Sequence, residues 1–118
     1  MALKGKTPRK AEKEWLAAIC DLGCIVCLRE FELDSLACPH HIDGKTKPDA
    51  HYMTIPLCGN HHQGGMDTAE CTSRHPYKFR FEERYGTELE LWDDCNERLE
   101  FFITGELYDE CARRIGNA

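Results

Sequence analysis

The first clear pattern along the chain is an apolar stripe at helical spacing in residues 11–22. Trp15 and Ile19 lie four residues apart there, among polar and charged residues, which predicts an amphipathic helix. Gly23 follows the last apolar position, where glycine commonly ends a helix. The sequence therefore predicts a helix that leads the chain directly into Cys24.

Two short strand patterns follow, at residues 36–42 and 53–57. The segment after the first reads Asp-Gly-Lys-Thr-Lys-Pro-Asp, a composition typical of turns and loops. Pro56 cannot donate a hydrogen bond to a neighbouring strand, so the second strand is expected at a sheet edge or to end there. Residues 58–62 are then expected to open a helix, which gives the order strand, loop, strand, helix.

Helical patterns also fill the C-terminal part of the chain, with glycines between them. The sequence Thr-Glu-Leu-Glu at residues 87–90 predicts a capping box, in which side chains at its two ends satisfy backbone amides of the first turn. The predicted apolar faces comprise Tyr77, Phe81 and Tyr85 before Gly86; Trp92, Cys95, Leu99 and Phe102 after it; and Leu107, Cys111 and Ile115 after Gly105.

Length and charge indicate one small domain with unevenly placed charges. A chain of 118 residues leaves a large share of its surface in water, so a bound metal would add stability that packing alone lacks. The net charge is −6, yet residues 1–80 carry eleven Lys and Arg against ten Asp and Glu (+1), and residues 81–118 carry four against eleven (−7). We expect a flexible basic arm, residues 1–10, and a single domain, residues 11–118.

The chain contains eight cysteines, which raises the question of disulfides. Its N-terminal sequence lacks the apolar core of a secretion signal, which favours a reducing, cytoplasmic location over a secreted disulfide scaffold. No apolar stretch reaches the roughly 20 residues that cross a bilayer, so no membrane partner is expected.

Four residues have the spacing of a structural zinc site. Such a site uses two short clips of soft ligands, and residues 24–27 and 58–61 each place two ligands with two residues between them. The expected Zn²⁺ ligands are Cys24, Cys27, Cys58 and His61. A set completed by Cys38 or Cys20 is the alternative, whereas Cys95 and Cys111 occupy apolar helical positions and are expected to be buried thiols.

Three further histidines are candidates for chemistry. His40 and His41 end the first predicted strand and His62 begins the helix, so one divalent ion can lie between strand and helix while a neighbouring imidazole takes a proton from water. This arrangement suits phosphodiester hydrolysis, because the ion stabilises charge on the phosphate and a neutral histidine activates the nucleophile. A purely structural role for these histidines is the alternative.

Four segments in order, GCIVC, PHHIDGK, IPLCGNHH and FEERYGTELE, resemble the HNH, or ββα-metal, endonucleases. The likeness is greatest to the phage recombination enhancement function branch, whose members are recombinase-dependent DNA nucleases, and it extends from about Lys10 to Leu99. The resemblance implies an α+β fold with a small zinc-stapled ββα-metal (HNH-like) core and flanking helices. It also implies a metal-dependent DNA endonuclease linked to recombination, with DNA and a recombinase filament as partners.

The resemblance also assigns roles to individual residues. It implies that His41 is the general base, that His40 lies on the side of a divalent ion, Mg²⁺ or Mn²⁺, and that His62 is a ligand of this ion. A further ligand is usual on or after the helix, and His75 is preferred over Asp67 for that position.

Besides His61, which stands where many members have a second cysteine, the chain departs from the family pattern at the position of Met53. Many members place an asparagine there to orient the base, and this chain has Met53, nine residues before His62, which leaves His51 or Asp49 as substitutes. The missing asparagine favours the first alternative function, a non-catalytic zinc-stapled nucleic-acid-binding module.

Two groups of basic residues are expected to contact phosphates without reading sequence. These residues are Lys4, Lys6, Arg9 and Lys10 in the arm and Arg74, Lys78 and Arg80 after the second clip. The second alternative function is a protein-interaction adaptor that presents its acidic C-terminal helices, Glu88 to Glu110, to a basic partner.

Overall fold

The computed structural model describes residues 5–118, which form a small α+β domain. In this part of the chain, six α-helices surround one two-stranded antiparallel sheet, and no helix is long and apolar enough to cross a membrane. The elements are α1 (Lys10–Leu22), α2 (Ile25–Phe31), β1 (Cys38–His41), a 3₁₀ turn (Ala50–Tyr52), β2 (Thr54–Leu57), α3 (Gly59–His62), α4 (Lys78–Tyr85), α5 (Glu88–Arg98) and α6 (Gly105–Gly116).

Helix α1 lies where the apolar pattern predicts it, and Trp15 and Ile19 are fully buried. Gly23 follows the helix with a φ of 86°, a backbone conformation that glycine adopts without strain. A Cβ at this position would also come within 2.9 Å of the carbonyl oxygen of Ser35. The sharp turn that glycine permits here brings Cys24 into the buried interior.

Helix α2 is an element that the sequence patterns do not predict. It begins immediately after Cys24, and its first residues, Ile25, Val26 and Cys27, are all buried. The helix ends at Phe31, and the next residue, Glu32, has a left-handed φ of 51°. A buried run this short does not show a helical period, so the sequence indicates only the ligand clip.

The two strands pair with His40 opposite Ile55 and His41 opposite Thr54. Strand β1 is shorter than the predicted segment 36–42, and β2 lies within the predicted segment 53–57. Side chains alternate between the two faces of a strand, so the adjacent histidines point to opposite sides of β1. His40 is buried and His41 is half-buried.

Two tryptophans fix the segment that leads into β2. Trp15 of α1 and Trp92 of α5 are both fully buried, with ring centroids 6.4 Å apart. The indole of Trp15 donates to the Thr54 hydroxyl at 2.9 Å, and the indole of Trp92 donates to the Tyr52 carbonyl at 2.7 Å. These bonds attach the 3₁₀ turn and β2 to the helices on either side.

The C-terminal helices follow the predicted pattern closely. The Thr87 side chain caps α5 by accepting from the Glu90 amide at 3.1 Å, and Cys95 and Cys111 are fully buried. Burial raises the pKa of the Cys111 thiol to about 11, as expected for a thiol packed in the core. Helix α5 ends earlier than predicted, so Phe102 lies beyond it.

Candidate active site

Four soft ligands meet where α2 approaches α3. Cys24 and Cys27 lie at the start of α2, Cys58 precedes α3, and His61 lies within α3. Their ligand atoms all lie within 4.8 Å of one another. The Nδ1 atom of His61 is 3.2 Å from the sulfur of Cys58, 3.6 Å from that of Cys27 and 3.7 Å from that of Cys24. We call this group the thiol cluster.

The distances in the thiol cluster fit a tetrahedral zinc ion. Zn–S bonds of about 2.3 Å and Zn–N bonds of about 2.0 Å at tetrahedral angles separate two sulfurs by about 3.8 Å and a sulfur from a nitrogen by about 3.5 Å. The sulfurs of Cys27 and Cys58 lie 3.9 Å apart. Burial raises the pKa of Cys24 to about 12, so this thiol keeps its proton unless a cation replaces it. The thiol cluster can therefore hold a metal ion such as zinc.

The alternative zinc ligands lie elsewhere. Cys38 is exposed at the start of β1, and Cys20 is half-buried on α1. Neither belongs to the thiol cluster, which uses the two clips that the spacing predicts.

Three imidazoles form a second group, which we call the imidazole cluster. His40 from β1, His62 from α3 and His75 ahead of α4 present ring nitrogens within 4.8 Å of one another. The Nδ1 atom of His40 lies 3.2 Å from the Nε2 atom of His62, and the His75 ring centroid lies 5.2 Å from each of the other two. Asp67, the other candidate for the third position, instead pairs with Arg80 at 3.5 Å.

Helix α3 contributes to both clusters. Consecutive residues of an α-helix point about 100° apart around its axis, so His61 faces the thiols and His62 faces the imidazoles. The amides of Arg74 and His75 donate to the carbonyls of His61 and His62, each at 2.8 Å. These two backbone bonds hold the segment that carries His75 alongside α3.

A buried carboxylate, Glu88, orients His40 of the imidazole cluster. One oxygen of Glu88 lies 2.8 Å from the Nε2 atom of His40, and its other oxygen accepts from the Nε of Arg74 at 3.0 Å. Burial of Glu88 favours the neutral acid, but the bonds to His40 and Arg74 outweigh it, and the pKa of the carboxyl is lowered. An ionised carboxylate only accepts, so His40 donates through Nε2, and its Nδ1 atom faces His62.

The protonation state of His62 also suits a metal ligand. Its burial and the nearby His40 and His75 rings lower its pKa to about 4. The ring is therefore neutral at pH 7, and a neutral imidazole has the free lone pair that metal coordination requires.

The half-buried His41 lies outside the imidazole cluster and contacts another histidine. Its Nε2 atom is 3.0 Å from the Nδ1 atom of His51, and the two rings meet edge to face. Burial, with smaller contributions from neighbours that include His51 and His40, lowers the pKa of His41 to about 4. A neutral imidazole therefore follows the candidate ligand His40 directly in β1.

The three positions that the sequence offers as partners of His41 differ in their contacts. Met53 is fully buried, and its carbonyl accepts the amide of Ile42 at 2.9 Å. Asp49 accepts from Arg9 at 2.7 Å. His51 is the residue that contacts His41.

The predicted phosphate-binding residues differ in their solvent exposure and in their bonds to other residues. Lys10 is exposed, and Arg80 is exposed beside Asp67. Lys78 donates to the C-terminal carbonyl of Ala118 at 2.9 Å. Arg74 is mostly buried against Glu88, so it belongs to the site rather than to an exposed basic surface.

The basic arm is partly described. Lys4 lies outside the described residues. The amide of Lys6 donates to the carbonyl of Lys45 at 2.9 Å, and Arg9 bonds to both Glu12 and Asp49, each at 2.7 Å. These contacts attach the segment before α1 to the loop that follows β1.

Glu88 is the site residue that sequence reasoning misses. The sequence places Glu88 among the acidic residues of the C-terminal helices, whereas the structure buries it with 2% of its surface exposed. The signal that could reveal it is its position at the start of a helix directly after the Gly86-Thr87 turn, where the chain re-enters the core. Its partner His40 lies 48 residues away, so no local pattern connects them.

Comparison with protein families gives one match that covers most of the chain. Residues 8–100 match the family model described as "Recombination enhancement, RecA-dependent nuclease". The matched range includes both clusters, the His41–His51 pair and Glu88. It also agrees with the likeness expected from the sequence segments between Lys10 and Leu99. The chain therefore belongs to the family of RecA-dependent nucleases of recombination enhancement.

Proposed function

We propose that this nuclease is an HNH-type, metal-dependent DNA endonuclease whose ββα-metal core consists of β1, β2 and α3. The observation that carries this proposal is the division of α3 between the thiol cluster and the imidazole cluster. The family match supports nuclease activity linked to recombination, and the order of β1, β2 and α3 along the chain supports the HNH class.

In this proposal, the thiol cluster holds a structural Zn²⁺. Its four protein ligands would complete a tetrahedral shell and leave no position for water, as is usual for structural zinc. The ion would join the start of α2 to α3 and so fix the direction in which His62 leaves the helix. This role suits a domain whose sheet has only two short strands.

The imidazole cluster would hold the catalytic ion, and His40, His62 and His75 are its proposed ligands. A divalent cation bound there supplies positive charge to the scissile phosphate and to the leaving oxygen. Imidazole nitrogen is a softer donor than the oxygen ligands that Mg²⁺ prefers. We therefore expect Mn²⁺ to support faster cleavage than Mg²⁺.

His41 is the proposed general base. Its neutral ring would take a proton from a water molecule as the water oxygen forms a bond to phosphorus and the bond from phosphorus to the leaving oxygen breaks. His41 and His40 point to opposite sides of β1, so His41 would not be a ligand of the ion. It remains adjacent in sequence to the proposed ligand His40.

DNA would be held mainly through its backbone. Lys6, Lys10 and Arg80 are exposed cations available for phosphate contacts, and such contacts carry no sequence information. The chain as a whole is acidic, so binding is expected to be weak and to fall steeply with salt.

The test is a cleavage assay on supercoiled and linear DNA with EDTA, Mg²⁺ or Mn²⁺, each with and without a RecA filament on homologous single-stranded DNA. We expect cleavage that requires the filament and a divalent ion, with Mn²⁺ more effective than Mg²⁺. Binding of DNA without cleavage under every metal and filament condition would contradict the proposal and favour the non-catalytic module.

A further inference from the structure

The contact between His41 and His51 continues to a third group. The Nε2 atom of His51 lies 2.5 Å from the backbone carbonyl oxygen of Lys6, and its Nδ1 atom lies 3.0 Å from the Nε2 atom of His41. His51 is buried, with 7% of its surface exposed. Both of its ring nitrogens are therefore engaged within the protein.

The carbonyl at the end of this chain of bonds determines which nitrogens carry protons. A carbonyl oxygen only accepts, so the Nε2 atom of His51 must be the donor to Lys6. The Nδ1 atom of a neutral His51 then accepts, and the Nε2 atom of His41 donates to it. The Nδ1 atom of His41 is left with a free lone pair.

We infer that His51 is the positioning residue of the general base: together with the Lys6 carbonyl, it holds His41 in the Nε2–H tautomer and so presents Nδ1 to water. This inference rests on the proposed function, because it concerns the orientation of the proposed base. It assigns to a side chain from the 3₁₀ turn the task that the family pattern gives to an asparagine at the position of Met53.

The acceptor is itself fixed in place. The backbone amide of Lys6 donates to the carbonyl oxygen of Lys45 at 2.9 Å, which fixes the Lys6 backbone. The contact of Arg9 with Asp49 secures the same segment to the residues just before the 3₁₀ turn. The segment ahead of α1 thus forms part of the site through its backbone. This role does not depend on the side chain at position 6.

The inference can be tested with two substitutions of His51 that differ in one property. In His51→Asn, the amide oxygen replaces the Nδ1 acceptor and can still accept from His41. In His51→Leu, a side chain of similar size removes the acceptor. We expect His51→Leu to lower kcat by about ten- to a hundred-fold with little change in KM, and His51→Asn to retain most of the parent activity.

A second measurement reads the tautomer directly. Imidazole ¹⁵N chemical shifts of the zinc-loaded protein distinguish a protonated nitrogen from one with a free lone pair, and the His41 signals are assigned by their loss in His41→Gln. The Nε2–H form of His41 is expected in the parent and in His51→Asn, and a mixture of tautomers in His51→Leu. Similar spectral dispersion of all three proteins is the control for folding.

The two measurements separate failure of this inference from failure of the proposed function. If the parent does not cleave DNA but shows the Nε2–H form of His41, the nuclease mechanism is wrong, whereas the hydrogen bonds from His41 to His51 and from His51 to Lys6 are confirmed. If the parent shows the Nδ1–H form, or if His51→Leu cleaves as fast as His51→Asn, the positioning role of His51 is wrong.

Discussion

Replacing His41 with alanine is expected to lower the DNA cleavage rate by about a hundred-fold or more, the range typical of losing a general base. The reason is that the neutral ring that would accept a proton from water is removed. The half-buried side chain hydrogen-bonds to His51 and is not a member of either cluster, so zinc content and thermal stability should stay close to those of the parent. The measurement is the single-turnover cleavage rate at saturating Mn²⁺.

The matched control for this prediction is Arg113→Ala, which removes an exposed cation that pairs with Glu110 on α6. It should cleave at the parent rate, which excludes a general effect of losing a polar side chain. Parent-like cleavage by His41→Ala would show that another group activates the nucleophile.

Replacing Cys58 with serine is expected to cause a large loss of stability. Structural zinc sites of this kind supply about 10–16 kcal/mol of apparent binding free energy, which is available to folding because the unfolded chain has no preformed site. Serine removes the sulfur that lies nearest to His61, at 3.2 Å. We expect the purified variant to contain less than one zinc equivalent and to unfold at a much lower temperature.

Cys38→Ser is the matched control, because Cys38 is also a free thiol but is exposed and lies outside the thiol cluster. It should retain one zinc equivalent and the unfolding temperature of the parent. If Cys58→Ser kept both properties as well, the thiol cluster would not be a zinc site that supports the fold.

The parts of this structure that the sequence predicts are those with a local signal. The periodicity of Trp15 and Ile19, the stop at Gly23 and the cap at Thr87 each depend on residues within about two turns, and helix α1 and the start of α5 lie where expected. The thiol cluster belongs to the same class, because two clips with fixed spacing constrain their ligands strongly even across a long loop.

The parts that the sequence does not predict depend on contacts between distant segments. Glu88 meets His40 only after α5 packs beside the sheet, and the acidic composition around it conceals its burial. The choice of His51 over Asp49 follows from an ion pair with Arg9 that occupies the aspartate.

The most direct test of two separate metal sites is X-ray diffraction from crystals grown with Mn²⁺, with anomalous data collected on each side of the zinc and manganese absorption edges. The two-site arrangement predicts a zinc peak among Cys24, Cys27, Cys58 and His61 and a manganese peak among His40, His62 and His75. A crystal of cleavage-competent protein with no ion among the three imidazoles, or with one ion shared between the clusters, would contradict it.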